Sequence, residues 1–174
     1  MRCLSFSECA TWCEERGIAA PKDDYGYERP EIAEPGFHFV KIPYPVDSGK
    51  KIYLARRLYS LLPAEPEHLL WIRDWAVWPS SQHTPLFMRF REACGERRGF
   101  IQAPGHLLRA DESDDAISVI ALSLLFFYDC FGISGSGRDA IIISHDEYCM
   151  FATRDPSIAE SVRSELGEMV HDKD

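Results

Sequence analysis

The stretch "CFGISGSGRDAIIIS", Cys130 to Ser144, constrains this chain more than any other. Gly135, Gly137 and Ala140 match the G-x-G-x-x-G/A spacing of a dinucleotide cradle. That fingerprint works only between a strand and a helix, because the helix N-terminus holds the pyrophosphate. Ile141, Ile142 and Ile143 follow instead, and three β-branched residues in a row favour an extended chain. Extended residues on both sides of Ser136-Gly137 predict a hairpin, whose turn needs glycine. One register follows, with Ser134 opposite Asp139, Cys130 opposite Ile143 and Tyr128 near His145. No cofactor is predicted.

The hairpin also tests Ser144-His145-Asp146, the residue types of a hydrolase triad. Adjacent strand residues point to opposite faces, so Ser144 and Asp146 cannot both flank His145. Ser134 and Ser136 lie several residues along the ladder, on the order of 20 Å away at about 3.3 Å per residue. Ser144 to Glu147 therefore reads first as a polar strand end and turn. The catalytic alternative makes His145 a general base, Asp129 its orienter across the ladder, and Asp146 and His106 further members of the site.

Upstream, Ser5 or Ser7 predicts a helix N-cap and Gly17 its stop. Phe37 to Ile42 predicts a strand. Asp47 or Ser48 caps a helix to Leu62, with Ile52, Ala55, Tyr59 and Leu62 inward and Lys50, Lys51, Arg56 and Arg57 on its solvated side. Residues 68–73 predict a strand, and 85–95 a helix with Phe87, Phe90 and Cys94 inward. Short strands are expected within 100–109 around Pro104-Gly105. The "DESDD" run then opens an apolar helix to about Tyr128, its carboxylates complementing the positive helix start. Asp155-Pro156 opens a last helix, with Ile158, Val162 and Leu166 inward. This order predicts a single α+β domain over 1–174, mainly an antiparallel sheet with a C-terminal β-hairpin packed against several helices.

The net charge of −9 argues against nucleic acid, whose phosphates require a basic face, and against an anionic membrane. It favours a basic protein partner. The carboxylates concentrate in "PKDDYGYERPEIAEPG", residues 21–36, where Asp23, Asp24, Glu28, Glu31 and Glu34 alternate with Tyr25 and Tyr27. Tyrosine gives contact area at little entropic cost, and carboxylates steer a basic partner, so these residues form the candidate partner-binding surface. The competing reading is a solvated loop. Trp71, Trp75 and Trp78 are either core or an anchor for constitutive assembly.

Six scattered cysteines read as reduced, buried thiols and predict a cytoplasmic protein. The longest apolar run, Ala116 to Tyr128, falls short of the roughly 20 residues a membrane helix needs. Cys9 and Cys13 share a helix face with Cys3 upstream, but zinc would need His38 or His106 to complete four ligands, and no metal is predicted.

From "LLFFYDCFGISGSGRDAIIISHDEYCMF", an apolar helix feeding a hairpin and then "SHDE", the last third of the chain resembles small bacterial cytosolic proteins of toxin-immunity type. The resemblance implies an α+β binding protein and carries no catalytic residue. The function expected is non-enzymatic protein binding, in the manner of an immunity-type inhibitor that occludes a basic partner. The alternatives are a small hydrolase centred on His145 and a structural assembly subunit.

Overall fold

A computed structural model describes residues 1–22, 36–75 and 84–170, the side chains of 166–170 excepted. The chain folds as an α+β domain around one seven-stranded antiparallel sheet, ordered β1-β4-β3-β5-β6-β7-β2. The strands are β1 (Arg2–Leu4), β2 (His38–Ile42), β3 (Glu67–Asp74), β4 (Gly105–Arg109), β5 (Asp129–Ser134), β6 (Asp139–Ser144) and β7 (Tyr148–Thr153). The helices are α1 (Phe6–Glu14), α2 (Ser48–Leu61), α3 (Thr84–Ala93), α4 (Ser113–Phe126) and α5 (Pro156–Val170).

The sheet's two faces bury different cores, because side chains alternate along each strand. On one face Leu70, Ile72, Leu108, Cys130, Ile141, Ile143 and Phe151 meet α2, α3, α4 and α5 through Leu58, Phe87, Ile120 and Val162. On the other, Leu69, Trp71, Leu107, Phe131 and Ile133 lie under Cys9, Trp12 and Cys13 of α1. Helix α1 starts with a capping box. The Ser5 side chain accepts from the Glu8 N–H, and the Glu8 side chain accepts from the Ser5 N–H at 2.7 Å.

The predicted hairpin forms in the predicted register, with Cys130 opposite Ile143 and Ile133 opposite Ala140. The Asp139 N–H donates to Ser134 Oγ at 3.1 Å, closing the turn in which Gly137 takes a φ of +69°. Gly135 and Gly137 thus serve a turn between strands, and no helix N-terminus follows them.

Other expectations need correction. Helix α2 turns Lys51, Leu54, Ala55 and Leu58 inward, whereas Ile52 is 40 % exposed and Tyr59 only partly buried. In α3 the buried residues are Phe87 and Arg91, with Phe90 and Cys94 at the margin. Residues 100–109 contribute one strand, β4, preceded by a turn. In α5 the buried positions are Ala159 and Val162, not Ile158. Strands β1 and β7 had no sequence expectation. Leu166 lies outside the described side chains. Among the described residues no helix is long and apolar enough to cross a membrane.

Candidate functional site

Asp129, His145 and Asp146 meet at one corner, where α4 enters β5 and β6 turns into β7. Asp129 opens β5, and the β5–β6 register carries it beside His145. One carboxylate oxygen of Asp129 accepts from the His145 backbone N–H at 2.7 Å and from ring Nδ1 at 3.0 Å. A carboxylate oxygen only accepts, so Nδ1 carries the proton in this contact. The Asp146 carboxylate lies 3.5 Å from Nε2 and is 60 % exposed, against 11 % for the imidazole and 8 % for Asp129. A β-bulge at Arg73 shifts the β3 register and sets Asp74 opposite Asp129.

Ser144 does not join this pair as a nucleophile. Its hydroxyl accepts from the Asp146 N–H at 3.3 Å, inside the turn, and the residue is 1 % exposed. Ser134 and Ser136 bond each other at the far end of the hairpin. His106 lies on β4, three ladders from β6 and so about 14 Å across the sheet. It is fully buried, and it is not brought to His145.

Between the Tyr44 and Phe127 rings sits a lysine whose sequence position predicts a solvated side chain. Lys51 is 5 % exposed, with its ammonium 4.0 Å from the Phe127 ring centroid and 4.9 Å from that of Tyr44. Burial pushes its pKa down, while Glu147 opposes that shift. The two ring faces attract the ammonium and offset part of the desolvation. Tyr44 is fixed by its hydroxyl, which donates to the Leu124 carbonyl at 2.6 Å. Phe127 and Glu147 are the described non-glycine residues with positive φ, +56° and +58°. Phe127 ends α4 where glycine is usual, and its N–H caps the Ser123 carbonyl. Both strained residues border the same corner. The signal in the sequence was weak: nothing distinguishes Lys51 from Lys50 except one position of helical phase.

The partner-binding residues Asp23, Asp24, Tyr25, Tyr27, Glu28, Glu31 and Glu34 lie outside the described residues. The chain on either side of them is described. Arg154, just beyond β7, donates to the Gly17 carbonyl at 3.3 Å and stacks over the Phe37 ring at 4.9 Å. One guanidinium thus ties the residue that ends the α1 region to the residue that leads into β2.

The cysteines do not gather. Cys9 and Cys13 face the α1 core, while Cys3 sits opposite His106 on the other face of the sheet. Burial raises the thiol pKa values, to about 12 for Cys13, Cys130 and Cys149. Among the described residues no group of three or more His, Cys, Asp or Glu side chains is placed to hold a metal. Trp71 is fully buried, which assigns it to the core, and Trp75 packs on Phe100 at 5.2 Å. Trp78 lies outside the described residues. Comparison with family models, with curated proteins and with solved structures finds no match for this chain.

Proposed function

We propose that this chain is a non-enzymatic protein-binding domain that neutralises a basic partner by steric and electrostatic occlusion, in the manner of an immunity-type inhibitor. Its binding surface is the acidic, tyrosine-bearing segment from Asp23 to Glu34. The observation that supports this reading is the Arg154 clasp. Joining Gly17 to Phe37 brings together the chain that leads into the segment and the chain that leaves it. The described chain on both sides of the segment is thus already fixed before a partner arrives. Residues 23–34 hold five of the carboxylates behind the net charge of −9, with one arginine among them. Such a surface speeds encounter with a basic partner and makes it salt-sensitive.

The test is affinity capture from native cell extract at low and high salt, with the wild type and with the triple variant Asp23→Lys, Asp24→Lys, Glu28→Lys. A stoichiometric partner lost in the variant and weakened by salt supports the reading. Undiminished capture by a folded triple variant overturns it.

A second reading is favoured by one observation, the Nδ1 contact of His145 with Asp129. That pairing orients the imidazole and leaves Nε2, 3.5 Å from the Asp146 carboxylate, as the nitrogen that would act as general base in a small hydrolase. The nucleophile would be a solvent water that gives its proton to Nε2. Turnover of simple ester or amide probes that is lost in His145→Ala and reduced in Asp129→Asn would establish it. Equal rates in the variants would sink it.

A further inference from the structure

Arg91 is a buried charge with no ion pair among the described residues. It is 0 % exposed, and its Nη2 donates to the Ala103 carbonyl at 2.7 Å, while Nε and Nη1 have no hydrogen-bond partner. A buried guanidinium is normally paired, because desolvating it costs several kcal/mol (about that order). No carboxylate among the described residues bridges to it. Glu96 is close enough to act on its charge but already accepts three bonds from the Arg98 guanidinium. The ring face of Phe100, 4.9 Å away, is a partial substitute.

A second orphan is close enough to feel its charge, and the Phe87 ring packs on it at 5.6 Å. His106 is also 0 % exposed, and its Nδ1 is 3.3 Å from the Leu70 carbonyl. A carbonyl only accepts, so Nδ1 bears the proton and Nε2 is left as a lone pair. That Nε2 has no partner. Cys3 stands opposite His106 on the same sheet face, with the Arg91 guanidinium next to its thiol. Arg98 donates to the Cys3 carbonyl at 3.0 Å, so two guanidinium groups and one carboxylate surround this strand end.

We propose that Arg91, His106 and Cys3 form an internal site for a small oxyanion that retains a proton, of which hydrogen phosphate is the type. The occupant must accept from Arg91, donate to His106 Nε2 and carry negative charge. Sulfate and a deprotonated carboxylate accept but cannot donate. Water donates and accepts but leaves the guanidinium uncompensated. Full burial of both side chains restricts the occupant to a free ion rather than a phosphate ester on a larger molecule.

The test is thermal unfolding at pH 7 in phosphate, sulfate and chloride at matched ionic strength, with a phosphate titration of the wild type followed by the ring 15N signals of His106. The expected result is a saturable phosphate-specific rise in Tm, on the order of 5 °C, with His106 Nε2 shifting over the same concentrations. Arg91→Met removes both effects. If that variant fails to fold, the wild-type titration decides alone. A phosphate response no larger than that of sulfate or chloride overturns the proposal, as does an unmoved His106 signal.

Discussion

A single carboxylate oxygen of Asp129 holds His145 twice, through the backbone N–H at 2.7 Å and the ring Nδ1 at 3.0 Å. The pair joins the first residue of β5 to the turn after β6 and so fixes both the hairpin end and the imidazole. Asp129→Ala leaves two N–H groups without their acceptor in a largely enclosed place and should cost about 3 kcal/mol. Asp129→Asn keeps a carbonyl oxygen and should cost about 1 kcal/mol. Urea unfolding of the two variants checks the difference.

Acid should unfold the protein in two stages. Burial, then the charge of Arg91, holds the His106 pKa down at about 3 against an ordinary value of 6.5. Between those values the unfolded chain binds a proton that the native imidazole does not, so stability is complete above 6.5 and falls as pH drops toward 3. His68 shifts in the same direction by burial. Glu96 is held at about 2, mainly by hydrogen bonds from Arg98, and its contribution is lost from about pH 4.5 downward. His106→Leu should flatten the upper stage, where one proton is worth about 1.4 kcal/mol per pH unit. Equilibrium unfolding from pH 8 to 3 measures it.

Gly105 has no room for a side chain. A Cβ there would clash with Cys9 Sγ and lie 3.1 Å from Leu4 Cβ. Gly105→Ala should destabilise by about 3 kcal/mol through overpacking. Cys9→Ala in the same chain should recover more than half of that loss. A double-mutant cycle reads the coupling, and additive effects would contradict the contact.

Positive φ has opposite consequences at its two non-glycine sites. Glu147 is exposed, so Glu147→Gly should raise stability by about 1 kcal/mol by relieving the left-handed backbone. Phe127→Gly should lose stability despite the same relief. Its ring lies under the Lys51 ammonium and stacks on Tyr44 at 6.2 Å. Thermal melts of the two variants should shift in opposite directions.

Local chemistry made part of the fold legible. The Ile141-Ile142-Ile143 run and the turn glycines determine the β5–β6 register, because a two-residue period leaves no freedom once the turn is placed. Ser5, one of the two N-cap candidates, does start α1. What failed depended on distant partners. Three residues of β1 carry no pattern of their own and become a strand only against β4. Helix α2 has apolar residues on two sides, and α4 selects the one that includes Lys51, whose stem is long enough to lie among rings. Arg91 looked like an ordinary helix cation, since nothing nearby in sequence tells of Phe100 and Cys3 closing over it. Asp129 and His145 could be paired from the register, while the roles of Lys51 and Arg154 came only from the folded chain.

Both outer strands of the sheet come from the first quarter of the chain, and each waits for a partner roughly a hundred residues later. Cys3 on β1 faces His106, and Val40 on β2 faces Phe151. During synthesis the segments made first therefore cannot complete their hydrogen bonding until β4 and β7 have emerged. The β5–β6–β7 meander, by contrast, closes over short loops at little entropic cost. Strand β1 can pair once β4 has been made, whereas β2 waits for β7, so until then Val40 and Ile42 lack the strand that covers them.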